Sequence, residues 1–204
     1  MTTQQERGQK TKERMLRTAF DLFHQKGVNA TSVDEVLEKS GTGKSQFYYY
    51  FKSKEGLVHE TIQDFFARLK SREIPVQYEL KTWDDLECWF RFFIEGQKQG
   101  NCERGCPLAT IAYELTDSNE LIRQDINLIF EYIRNALARL FLNLKAQGEL
   151  VDTADPDQLA DFCVAIMQGG LLTAKIRKDS APFQNSVQHA LIYLKSLRPN
   201  PSKK

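Results

Sequence analysis

Along most of this chain apolar residues return every three or four positions, and short clusters of Gly, Pro, Asn, Asp and Ser separate the periodic stretches. That is the repeat of an amphipathic α-helix, and no stretch shows the alternation of a half-buried strand. Met15, Leu16, Ala19, Phe20 and Phe23 make the first stripe, which Lys26-Gly27 ends. Val33, Val36 and Leu37 make a short second stripe opposite Asp34, Glu35, Glu38 and Lys39. Ser32 and Glu35 in front of it read as an S-x-x-E capping box, in which each side chain satisfies an orphan amide. Gly41 and Gly43 flank Thr42 where a residue of positive φ is needed to close that helix and turn the chain. A third helix starts near Lys44. Its Phe47, Tyr50 and Phe51 fall at i, i+3, i+4 and face inward, leaving Lys44, Ser45, Gln46, Tyr48 and Tyr49 outward.

A fourth helix is expected from Lys54 to about Arg72, with Leu57, Val58, Ile62, Phe65, Phe66 and Leu69 inward and Pro75 closing the segment. Thr82-Trp83-Asp84-Asp85 opens another that carries Trp83, Leu86, Trp89, Phe90, Phe93 and Ile94. Pro107 suits the first turn of a helix through Leu115. A long helix follows from about Glu120 to Gln147, with Leu121, Ile122, Ile126, Ile129, Phe130, Ile133, Leu137, Leu140, Phe141 and Leu144 on its apolar face. Asp155-Pro156 opens a helix to about Lys178 and Ala181-Pro182 the last, to Leu197; residues 1–6 and the tail from Arg198 are expected to be unstructured. The fold class is all-α.

A length of 204 residues with 41% hydrophobic content supports one large or two small domains. The net charge of +1 excludes a generic polyanion binder, but the charge is unevenly spread. Residues 1–55 hold ten Lys or Arg against seven Asp or Glu, and the rest eighteen against twenty. The small basic excess lies with the exposed set on the third helix. No uninterrupted apolar run approaches the ~18 residues of a membrane span, and the N-terminus has no signal-peptide pattern, so a cytoplasmic protein without membrane association is expected. Cys88, Cys102, Cys106 and Cys163 are read as thiols outside any disulfide. The C-x3-C spacing of Cys102 and Cys106 is loose for zinc and His24, His59 and His189 lie on other helices, so neither metal nor cofactor is expected.

A helix fits the DNA major groove with its first residues on base edges, while cationic and hydroxyl groups around it reach phosphates. Gln46 suits an adenine edge; Lys44, Tyr49, Lys52 and Lys54 suit the backbone. On spacing alone an ordinary solvated helical hairpin remains open. Gly41-Thr42-Gly43-Lys44-Ser45 also resembles the end of a phosphate-cradling loop, but Glu38 stands where that motif needs glycine, and a helix precedes it where a strand is required. Hydrolase and dinucleotide fingerprints are absent, and no enzyme is expected.

The run from Thr31 through Ser53, with GTGKSQFYYYFKSKEGL at its core, resembles the DNA-binding domain of the TetR family of transcriptional regulators. That family's usual pattern is G-V-S-x-G-x-x-Y-x-(H/Y)-F-x-(S/N)-K-(E/D)-x-L, and the similarity covers roughly residues 8–60. It implies a three-helix helix-turn-helix domain over 1–55 and a helical ligand-binding and dimerisation domain over 56–204. Lys44, Ser45 and Gln46 would face bases, Tyr48 and Tyr49 would touch phosphate or thymine methyls, and Lys54 would sit on a phosphate; Thr31 and Lys52 complete the set. Gly43 and Ser45 depart from the commoner Ser and Gly, which bears on operator sequence. Arg7, Lys10 and Lys12 could serve as an arm beside the groove.

The implied partners are a palindromic double-stranded operator, a second copy of the chain and a small-molecule or electrophile effector, with repression the family's common sign. Gly169-Gly170 costs about 1 kcal/mol per glycine in a helix, which points to close approach of another helix. For the effector, Trp89, Phe93, Cys106, Tyr113, Phe130, Phe162 and Met167 are the candidates, with Glu114 and Gln168 as polar contacts. Cys106 also stands at a helix start with Arg104 nearby, a setting that favours a reactive thiolate. The alternative is a helical carrier of small lipophilic molecules without DNA binding.

Overall fold

The computed structural model describes residues 3–199, with side chains from Glu6 onward. All regular structure among them is helical: α1 (Thr3–Lys26), α2 (Val33–Ser40), α3 (Lys44–Tyr50), α4 (Lys54–Lys70), α5 (Trp83–Gln99), α6 (Pro107–Leu115), α7 (Glu120–Ala146), α8 (Pro156–Arg177) and α9 (Ala181–Ser196). Residues 3–6, expected to be unstructured, extend α1; the rest of that expectation, for 1–2 and 200–204, lies outside the described residues. Two compact units form out of chain order. One holds the chain up to Ile74 with Cys106–Leu128, the other Pro75–Gly105 with the chain from Ile129 onward.

In the first unit α1 is the central helix, packed by α2, α4 and α6. Met15, Ala19, Phe23, Val36, Phe47, Leu57, Val58 and Ile62 are almost fully buried there, and Phe20 stacks on Phe65 with centroids 4.9 Å apart. The start of α2 differs from the expected reciprocal box. Ser32 Oγ accepts from the Glu35 amide at 3.1 Å, but the Glu35 carboxylate accepts from Lys26 Nζ at 2.5 Å and pairs with Lys39 at 3.3 Å. The hydrogen bond from Lys26 holds that carboxyl below its ordinary range. Two ammonium groups offer more than one neutral amide, so half of the box is exchanged for a tie between the end of α1 and the first turn of α2.

In the second unit α5, α8, α9 and the later turns of α7 share a core of Leu86, Phe90, Leu137, Leu140, Phe141, Cys163, Phe183 and Leu194. Thr82 and Asp85 complete a capping box on α5, and Asp155 caps α8 through the amides of Asp157 and Gln158. Arg134 pairs with Asp157 and Asp161 across α7 and α8, and Lys195 of α9 with Glu87 of α5. Arg198, expected in a loose tail, lies over the Trp83 ring at 4.9 Å, and the Val151 amide donates to the Leu197 carbonyl at 2.9 Å. Leu121, read as inward, is 51% exposed on α7.

The glycine pair on α8 divides its labour. A Cβ on Gly170 would stand 1.9 Å from the Phe183 ring, so this glycine lets α9 close on α8 within one chain; beside Gly169 nothing lies within 4 Å. Of the described helices α8 alone is long and apolar enough to cross a membrane by composition, with part of that surface covered by α9. Gly170→Ala should lower the unfolding free energy by about 1–3 kcal/mol through overpacking against Phe183. Gly96→Ala, at a helical position with open space around it, should gain about 0.5–1 kcal/mol. Urea denaturation of the two variants checks the contrast.

Candidate nucleic-acid interface and effector region

The α2–α3 hairpin turns on Gly41, which adopts the left-handed region at φ 61° and ψ 43°. The Thr42 amide then reaches the Leu37 carbonyl at 3.0 Å and the Gly41 amide the Glu38 carbonyl at 3.1 Å, closing α2. Gly43 is extended, at φ −109°, and is the N-cap of α3. Phe47 is buried and fixes the rotation of this short helix, with Phe51 5.6 Å away. Lys44, Ser45 and Gln46 are exposed as a consequence, with Tyr48 at 57% and Tyr49 at 73%. Tyr50 is half-buried rather than core: its hydroxyl donates to the Gly8 carbonyl at 3.0 Å and ties the end of α3 to the start of α1. Lys52 has φ 65° and its ammonium stands 6.0 Å from the Tyr49 ring. Lys54, half-exposed, opens α4 behind the Ser53 cap.

Two of these groups already have intramolecular partners. Lys44 Nζ lies 3.0 Å from Asp34 Oδ1, an ion pair with both side chains about 70% exposed. Such a pair is worth about 0–1 kcal/mol, so Asp34 holds the Lys44 ammonium only weakly. Gln46 Oε1 accepts from the Gly43 amide at 3.1 Å; its amide NH₂ remains directed by that anchor. Thr31 needs correction. It is 1% exposed and its hydroxyl donates to the Gly27 carbonyl at 2.7 Å, so the side chain braces the α1–α2 turn from inside instead of facing a groove.

The effector candidates divide between the two units. Trp89 and Met167 are buried in the second unit, where Trp89 meets Phe93 edge-on at 5.1 Å. Phe162 meets Tyr193 instead, at 5.6 Å, and Phe130 is half-buried on α7. In the first unit Cys106 is half-buried as the N-cap of α6. Tyr113 is 79% exposed, which removes it from any enclosed cavity. Trp89 Nε1 and Gln97 Oε1 are buried without a hydrogen-bond partner among the described residues. They lie at i and i+8 on α5 with Phe93 between them, so an unserved donor and acceptor bracket an aromatic face. Gln97 carries no local sequence signal for this role.

Glu114 is engaged elsewhere than at an effector: its Oε2 accepts from the Asn29 amide at 2.7 Å. Asp125, 5% exposed on α7, sits 2.5 Å from His59 Nδ1 and accepts from Gln63 Nε2 at 2.7 Å, both on α4. The Gln168 amide lies 3.7 Å from Met167 Sδ.

The cysteines differ in accessibility. Cys88 is exposed, Cys102 and Cys163 are buried, and burial pushes the Cys163 thiol well above its ordinary value. Brief iodoacetamide treatment of the native protein at neutral pH should therefore modify Cys88 well before Cys163 and Cys102, which should stay intact until denaturant is added. Peptide mass spectrometry over time checks the order.

Residues 15–61 match the family described as "Bacterial regulatory proteins, tetR family", and residues 84–190 match "Tetracyclin repressor-like, C-terminal domain". An uncharacterised HTH-type transcriptional regulator of Lactococcus lactis is 29% identical over 83% of this chain and 85% of its own length. The HTH-type transcriptional repressor DhaR of a Mycobacterium species is 25% identical over 84% of this chain and 85% of its own. The crystal structure of Escherichia coli NemR in its reduced form superposes with a TM-score of 0.74 at 25% identity, over 94% of this chain and 99% of that one. With family models matching both halves, this chain belongs to the TetR family and is a DNA-binding transcriptional regulator.

Proposed function

We propose that the protein is a ligand-responsive repressor that binds a two-fold symmetric operator as a homodimer in the cytoplasm. In this reading residues 1–55 read DNA, and 56–204 receive the effector and hold the dimer. The observation that carries it is the outward presentation of Lys44, Ser45, Gln46, Tyr48 and Tyr49 on one seven-residue helix by a buried Phe47. Two half-sites one helical turn apart need two such helices. Lys52 and Lys54 supply flanking phosphate contacts. The similar proteins DhaR and NemR carry the name of repressors, which supports the sign.

A dimer is supported by an apolar stripe left uncovered on α8 and α9. Leu172 is 44% exposed, Ile176 70%, Ile192 60% and Tyr193 50%, and Gly169 leaves room for a close helix on the same side of α8. An apolar patch of this kind marks an interaction site. The effector reading places a small, largely apolar molecule against Trp89 and Phe93, with Trp89 Nε1 as donor and Gln97 Oε1 as acceptor; Met167, Phe130 and Phe162 are further candidates. Cys106 is the candidate for attack on an electrophile, in keeping with a structural relative specified in a reduced form.

Fluorescence anisotropy with the upstream region of the neighbouring gene tests the reader. Lys44→Ala and Tyr49→Ala should each weaken binding about fivefold or more, with helicity and mass unchanged, and Lys44→Ala should flatten the salt dependence. Operator affinity equal to the parent's in both variants would remove α3 from the interface. Gly169→Glu should convert the dimer to monomer in sedimentation, because a carboxylate in an apolar interface has no partner; a persistent dimer would move the interface elsewhere. Treatment with a quinone should release DNA from the parent but not from Cys106→Ser, and equal release from both would leave non-covalent binding as the working mechanism.

A further inference from the structure

The turn from α1 to α2 is short, with Gly27, Val28 and Thr31 buried and Asn29, Ala30 and Ser32 exposed. Gly27 ends α1 at φ +89°, Thr31 precedes the Ser32 cap, and α2 begins one residue later. The Thr31 hydroxyl holds the Gly27 carbonyl from within, at 2.7 Å. From outside the hairpin, α6 sends in Glu114, whose Oε2 accepts from the Asn29 amide at 2.7 Å. The fit is close: a Cβ on Gly27 would stand 1.9 Å from Glu114 Oε1. A carboxylate beside the C-terminal end of a helix is disfavoured by the helix dipole, so stabilising α1 does not explain it. What it does serve is one orphan amide of the turn.

We infer that Glu114 is a positioning residue for DNA reading: its carboxylate fixes the α1–α2 turn and through it the attitude of α2 and α3. The inference rests on the DNA-binding reading above. Glu114 is the penultimate residue of α6, and the N-cap residue Cys106 stands at the other end, about 12 Å away. A displacement of that nine-residue rod reaches the reader through this hydrogen bond. Asp125 makes a second contact of this kind, holding α4 through His59 and Gln63, so carboxylates from α6 and α7 hold the α1–α2 turn and α4.

The test uses full-length protein and two duplexes: one enriched by the parent from a random-sequence pool, and one unrelated sequence. Glu114→Ala leaves the Asn29 amide without its acceptor, and Glu114→Gln keeps a carbonyl oxygen there. Glu114→Ala should lose about fivefold in affinity for the enriched duplex. It should bind the unrelated duplex as the parent does, because the phosphate-binding side chains stay in place. Glu114→Gln should stay within about twofold of the parent on both. Hydrogen exchange should accelerate at Asn29 in Glu114→Ala, with core amides of α1 unchanged. Parent-like affinity of Glu114→Ala for the enriched duplex would overturn the inference. So would equal losses in the Ala and Gln variants, or a loss on both duplexes with a lowered thermal midpoint. A parent that enriches no duplex would overturn the repressor reading together with this one.

Discussion

A seven-residue helix does not hold itself together in water, because nucleation is unfavourable and isolated helices below about 12 residues are marginal. α3 exists because Phe47 and Phe51 are buried in the first unit, at 1% and 3% exposure. That burial also sets the rotation of the helix about its axis. Once Phe47 points inward, Lys44, Ser45, Tyr48 and Tyr49 have only the outer side, and the αL turn at Gly41 sets where the helix begins. The outward set of α3 follows from a hydrophobic contact made on its opposite side.

The same logic extends backwards from α3. Its C-terminal end is pinned to α1 by Tyr50 on the Gly8 carbonyl, and α2 is pinned to α1 by Glu35 between Lys26 and Lys39. Neither is a strong interaction taken alone, since surface ion pairs contribute about 0–1 kcal/mol. They act on direction: each removes a way for the hairpin to swing on the α1 platform. Glu114 and Asp125 add contacts from helices that belong to the later part of the chain, which is why the first compact unit includes Cys106–Leu128.

Both α7 and α8 leave apolar side chains open, Leu121, Leu128 and Leu142 on the one and Leu172 and Ile176 on the other. The buried stripe of α7 runs through Ile122, Ile126, Ile129, Leu137 and Leu140, as expected of a core helix. On α8 Cys163, Met167, Gly170 and Leu171 are buried, while Leu172 and Ile176 stay open.

By itself the sequence determined the all-α class, the helix starts at Ser32, Thr82, Pro107 and Asp155, and the outward set on α3. Each of these rests on local chemistry: a capping side chain, a proline at N1, a glycine at positive φ, and a 3.6-residue apolar repeat. It also supported the family through one contiguous motif. Tertiary structure alone decided which polar groups face each other across the chain. Glu114 meets Asn29 across 85 positions, Asp125 meets His59 across 66, and no periodicity encodes such pairs. It likewise turned Thr31 inward, set Tyr113 on the surface, and gave Gly170 to α9 while leaving Gly169 open. Helical period places a residue on a face, but which face another helix covers depends on packing between elements distant in sequence.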